Sequence, residues 1–118
     1  MKITQSPYLF IASMDVEPER EELFNEVYDQ EHVPSLAMVK GVIGVARYER
    51  VALTMALSGR LHQVEPTQPK YHAVYELEGP EVIQSDAWSL AVEAGRWPGS
   101  VRPFTRNRQH LLIKRIEG

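Results

Sequence analysis

Four histidines and no cysteine set the limits of the chemistry available to this 118-residue chain. His32, His62, His72 and His110 are the side chains that can exchange protons near neutrality. Without cysteine there are no disulfides, no thiolate metal sites and no cysteine nucleophile. The histidines show no HxH or HxxxH spacing and no carboxylate completes a ligand set, so no metal site is expected. Phosphate-cradling loops and nucleophile elbows are missing too; "GRWPGS" has the glycines but no strand-to-helix context.

His32 carries the most information. It lies in "YDQEHVPSLAMVKGVIGVARY", four residues after Tyr28 and eight after Phe24, so it continues one helical stripe. One reading makes it a general acid or base, tuned by partial burial beside a cavity, with Asp29 one turn earlier orienting the ring. The other makes it a helix-end histidine held by the C-terminal dipole and bonded to a free carbonyl. Spacing leaves both open.

Other groups divide the same way. Arg47 could neutralise a substrate carboxylate or enolate, or pair with Glu49 on its own strand face. Tyr28, Tyr48, Tyr71 and Tyr75 suit a phenol-lined cavity or an aromatic core. His72 and His110 fall on the third and fourth strands, which are not neighbours in the expected sheet. Trp88 flanks a helix stripe, and Trp97 in "GRWPG" reads as a loop lid or interface residue.

These side chains need elements to place them. "YLFIASM" (8–14) reads as a first strand. "DVEPEREELFNEVYDQEH" is helical, with Pro18 in its first turn, acidic residues at the positive end of the dipole, and a stripe of Leu23, Phe24, Val27 and Tyr28. Pro34 is expected to interrupt that helix, with a short further turn at "SLAMVK" and Gly41 as its stop. The second strand is "VIGVARYERVA" (42–52), with Gly44 marking a bulge or close approach. Residues 53–69 have no sustained period and read as a long connection. "KYHAVYELE" (70–78) is the third strand, 79–95 a helix striped by Ile83, Ala87, Leu90, Ala91 and Ala94, and "FTRNRQHLLIKRI" (104–116) the fourth strand.

The order β-α-β-β-α-β is the ferredoxin-like arrangement: an α+β fold with a four-stranded antiparallel sheet and two helices on one face. A single domain over 1–118 is expected, long enough to bury about 65% of the surface its unfolded chain exposes. Whichever strand face meets the helices, the other still holds apolar groups and needs covering, most economically by a second copy.

The net charge is −3 and the one basic cluster is Arg102, Arg106, Arg108, Lys114 and Arg115, so no nucleic-acid partner is expected. No apolar run reaches membrane-spanning length and the first residues do not read as a signal sequence. A soluble, cytoplasmic protein is the expectation.

At "YDQEHVPSLAMVKGVIGVARYE" the chain resembles the dimeric α+β barrel superfamily, in particular its EthD-like branch. The matching positions are Tyr28, His32, Pro34, Gly41, Arg47 and Tyr48, and "YHAVYELEGPEVIQSDAW" extends the likeness over most of the chain. The resemblance implies a homodimer packed sheet against sheet, with a small-molecule cavity between sheet and helices in each protomer. It implies cofactor-free acid–base chemistry, such as cyclisation, isomerisation or decarboxylation, on a hydroxylated aromatic, polyketide or lactone substrate. His32 would transfer the proton, and Arg47 with Tyr28 would position the substrate or stabilise oxyanion charge. Tyr48, Trp97, His72 and His110 would shape the pocket. Haem-binding relatives of this fold carry a ligand histidine on the helix of the second half; "EVIQSDAWSLAVEAG" has none, and no cofactor is expected.

Two rivals stand beside this. A non-catalytic ligand-binding or dimerisation module would share the fold, cavity and histidine. An RNA-recognition module would share the strand order and place Phe10 of "LFIASM" in a base-stacking position, although "KYHAVYEL" is a poor match to its third-strand motif.

Overall fold

The computed structural model describes residues 7–116. Strand β1 (Tyr8–Val16) leads through a 3₁₀ turn, Pro18–Arg20, into α1 (Glu21–Val27), a π turn (Tyr28–His32) and α2 (Val33–Ala37). Then come β2 (Val42–Glu49), β3 (Leu53–Leu57), β4 (Arg60–Val64) and β5 (Tyr71–Leu77). A 3₁₀ turn, Pro80–Gln84, precedes α3 (Asp86–Val92); a π turn (Trp97–Val101) and a 3₁₀ turn (Arg102–Phe104) lead into β6 (Thr105–Lys114).

The main sheet runs β2-β5-β1-β6 and is antiparallel throughout. This is the expected four-stranded order with a hairpin, β3–β4, inserted before β5. The alternation of β5 decides which face is covered: Tyr71, Ala73, Tyr75 and Leu77 are buried, and His72, Val74 and Glu76 are less so. Register carries that choice across the sheet, since Phe10 faces Tyr75, Ala12 faces Ala73 and His110, and Arg47 faces Ala73. The helices lie on this side, and Phe24, Val27, Leu36, Tyr75, Leu77 and Val101 are wholly buried beneath them. Each such side chain contributes roughly 1.5–3 kcal/mol by leaving water. The opposite face presents Ile11, Ala46, Val74, Leu111 and Ile113.

Three expectations need correction. Pro34 does not interrupt the helix. The chain widens by one residue at Tyr28–His32, the Val33 N–H reaches the Tyr28 carbonyl, and helix resumes at Val33 with Pro34 in its first turn, where a missing donor costs nothing. Residues 53–69 are not a structureless connection: Ser58 and Gly59, both at positive φ, close a tight hairpin. The helix expected over 79–95 is a 3₁₀ turn followed by α3 alone. Ser85 caps α3 by accepting from the Trp88 N–H at 3.1 Å, and this reset leaves Leu90 exposed while Trp88, Ala91 and Val92 pack inward.

Gly41 turns the chain into β2 at φ 97°, and a Cβ there would lie 2.4 Å from a methyl of Val82. Only glycine meets both demands. Among the described residues no helix is long and apolar enough to cross a membrane.

Candidate functional site

A cavity of about 360 Å³ opens between the helices and the sheet. The helical side contributes Tyr28, His32 and Leu36, and α3 contributes Trp88 with Glu93 just beyond it. The sheet supplies Phe10, Tyr75, Arg108 and His110, and the segment after α3 supplies Trp97 and Arg102. A wider hollow of about 610 Å³ lies at the root of the hairpin, beside Val51, Leu53, Val64 and Pro66, and has no histidine, tyrosine or tryptophan in its walls.

His32 ends the π turn and is 5% exposed. Its ring stacks on Trp97, with centroids 4.2 Å apart and planes at 21°, and meets the Tyr28 ring edge-on at 5.1 Å. Its Nδ1 is buried without a hydrogen-bond partner among the described residues. An orphaned buried polar atom costs about 1–3 kcal/mol of stability. Burial lowers the His32 pKa to about 4, and the nearby Arg102 cation acts in the same direction. At neutral pH the ring is uncharged.

The phenols of Tyr28 and Tyr75 interact with each other, and burial pushes both above the usual range. They therefore keep their protons and serve as donors. His110 stacks on Phe10 with centroids 5.9 Å apart, and burial together with the Arg108 cation lowers its pKa.

The cavity thus brings together Tyr28, His32, Trp97 and His110 from the residues expected to form a site. Arg47, Tyr48 and His72 do not line it. Arg47 lies behind Tyr28, its guanidinium carbon 4.5 Å from that ring's centroid, and donates to Asp29 at 2.7 Å and Asn25 at 2.8 Å. Asp29 is therefore committed to Arg47 and does not orient His32, and Glu49 lies nearer Lys70, at 3.6 Å. Tyr48 is 58% exposed on the far face of β2. His72 is on the far face of β5, where Ser13 Oγ lies 2.6 Å from its Nδ1 and the Pro69 carbonyl accepts from Nε2 at 3.0 Å.

Trp97 is a fixed wall, not a loop lid: it is buried, and the Glu31 carboxylate accepts from the Arg96 N–H at 2.9 Å and from its guanidinium, pinning the segment to the helix. Phe10 faces the helices, between Tyr75 and Trp88, so the aromatic that suggested base stacking is not on the open sheet face. Arg102, Arg108 and Glu93 were legible only as surface charge. Strand parity groups Arg108 with His110 but also with Arg106, and only the register shift at Asn107 separates the two arginines.

No protein-family model and no curated protein matches the sequence. Among solved structures, the chain is similar to the haem-degrader MhuD from Mycobacterium tuberculosis with two haems bound in its active site. The TM-score is 0.56 at 14% identity, over 95% of this chain and 98% of that one. It is similar also to a single-substitution MhuD variant with two manganese protoporphyrin IX bound per active site, with TM-score 0.58 at 14% identity over 95% and 97% of the two chains. At such identity the likeness shows the fold alone: an α+β chain with a four-stranded antiparallel sheet and helices packed on it.

Proposed function

We propose that this chain is a single-domain, EthD-like barrel protein that carries out cofactor-free acid–base chemistry on a hydroxylated aromatic, polyketide or lactone substrate. The observation that carries this reading is His32: a neutral, unpartnered imidazole in the wall of a cavity lined by tyrosine and tryptophan rings. An uncharged ring can accept a proton from an acidic C–H or O–H. Its pKa near 4 makes it a weak base on its own. Negative charge developing on a bound substrate raises that pKa towards neutrality, so the base strengthens as the reaction proceeds. Tyr28 and Tyr75, which keep their protons, donate to the developing oxyanion. Arg47 contributes by holding the Tyr28 ring from behind and touches no substrate.

A tetrapyrrole is not carried over from the two structural neighbours. The helix facing the cavity, Asp86–Val92, has no histidine to serve as a ligand.

The test is proton exchange. β-Diketo aromatics, hydroxyaromatic acids and unsaturated lactones are incubated with the protein in deuterium oxide, and deuterium at the acidic carbon is followed by NMR. Exchange with the wild type and its loss in His32→Gln is the expected result. Equal exchange in both overturns the assignment of His32. Binding without exchange makes the chain a ligand carrier, and a Soret band shift on titration with haemin overturns the cofactor-free reading.

A further inference from the structure

The cavity holds a cation with no partner. Around it the basic side chains are committed: Arg102 to Glu93 at 2.8 Å, Arg47 to Asp29, Arg96 to Glu31 and Glu26, and Arg106 to Glu17. Arg108 lines the cavity, and among the described residues it has neither an ion pair nor a hydrogen bond.

An irregularity in β6 separates it from the neighbouring Arg106. Pairing with β1 is regular from Tyr8↔Lys114 to Ser13↔Gln109 and then jumps to Asp15↔Arg106. Asn107 is the extra residue. It sits at φ 53°, in the left-handed region, and its Nδ2 donates to the Asp15 carboxylate at 2.8 Å. Bulges of this kind turn side chains away from strand alternation. Regular alternation places Arg106, Arg108 and His110 together on one face. The bulge moves Arg106 into register with Asp15, where it pairs with Glu17, and leaves Arg108 in phase with His110. Two arginines two residues apart are thereby separated, one paired with Glu17 and the other unpaired and exposed at the cavity. Left-handed geometry in a non-glycine residue costs roughly 1–2 kcal/mol, least for asparagine. Strain of this kind concentrates where a side chain must be aimed.

We propose that Arg108, in phase with His110 and freed of Arg106 by the Asn107 bulge, receives the acidic group of the ligand, so that the cavity takes an aromatic acid in preference to a neutral aromatic. The inference rests on the cavity reading above and names its substrate class. The rings of Phe10, Tyr28, Trp88 and Trp97 give the cavity aromatic walls. The guanidinium fork matches a carboxylate in a way no other wall group does. His32 and His110 are both held towards the neutral form and leave the anion to Arg108. Arg102 would have to break its pair with Glu93 to compete.

Hydroxynaphthoate and naphthol share a ring system and a hydroxyl and differ in the carboxylate, which makes them the probes. Binding of each to the full chain is measured by calorimetry and by quenching of tryptophan fluorescence. The wild type is expected to prefer the acid by about tenfold or more, the scale of one charge-assisted contact. Arg108→Gln, a partnerless side chain whose loss leaves the fold intact by circular dichroism, removes that preference and keeps naphthol affinity. Asn107→Gly, which holds the left-handed turn, keeps the preference. A preference retained in Arg108→Gln, one lost in Arg102→Gln, or equal binding of both probes to the wild type overturns the proposal. If neither probe binds the wild type, the cavity reading falls with it. If the acid preference holds while deuterium exchange is not seen, the catalytic reading fails and the acid subsite stands.

Discussion

His32 is where one residue's environment has a measurable consequence. Its folded pKa near 4 lies below the value of about 6.5 it has in an unfolded chain. Between those values the unfolded chain takes up the proton first, so protonation favours unfolding. The stability due to neutral His32 is therefore complete above about pH 6.5 and lost as pH falls towards 4. The ceiling is about 3 kcal/mol. Carboxylates held low by partners, among them Glu21 beside Lys70 and Glu31 beside Arg96, lose their contribution over an overlapping acid range, so the wild-type curve mixes both effects. The difference between wild type and His32→Gln isolates the histidine. Chemical denaturation at stepped pH should show wild type falling relative to the variant between pH 6.5 and 4 and running parallel to it above 7. Parallel curves throughout would mean that the ring is solvated and not sealed against Trp97.

At the scale of elements, the π turn and the reversal after α2 do most of the positioning. The π turn rotates His32 onto Trp97 and lets helix continue past Pro34. Gly41 then carries the chain into β2. Gly41→Ala forces a Cβ into left-handed backbone and against Val82, so a loss of about 2 kcal/mol or more is expected in urea denaturation, and a loss under 0.5 kcal/mol would show that the turn relaxes freely. Strand positions were legible because each strand of the main sheet lies over a helix or against another strand, and burial imposes an alternating pattern. The β3–β4 hairpin was not, because its ten residues are all exposed and no core beneath them marks a phase. The π turn was not, since Pro34 reads in sequence as a stop and only the i+5 bond from Val33 to Tyr28 shows how it is absorbed. The same limit applies to the site: His32 stood out by its place on a stripe, whereas Arg108 needs the bulge at Asn107 to be distinguished from Arg106.

Over the whole molecule, shape and surface point to a second copy. The radius of gyration is 16.1 Å against roughly 13.5 Å for a compact domain of this length, because the hairpin extends beyond the sheet. The uncovered sheet face carries Ile11, Val74, Ala46, Leu111 and Ile113, and the hairpin adds Leu53, Met55, Leu57 and Leu61. Four strands of about eight residues give a planar face of about 500 Å². A stable interface buries about 800 Å² on each partner, so the sheet alone falls short and the arm is placed to supply the remainder. An isolated two-stranded hairpin is marginal in water, which gives the arm its own need for a partner. We therefore propose a homodimer packed sheet against sheet with each arm laid on the other copy. Sedimentation at micromolar concentration should find a dimer. Val74→Glu, which buries a charge at the centre of that face, should give a monomer that keeps the wild-type circular dichroism spectrum. Replacing 53–64 by a short glycine linker should weaken the dimer at least tenfold without unfolding the four-stranded sheet. A wild-type monomer would sink the arrangement; a dimer indifferent to Val74→Glu but lost with the hairpin would move the interface from the sheet to the arms.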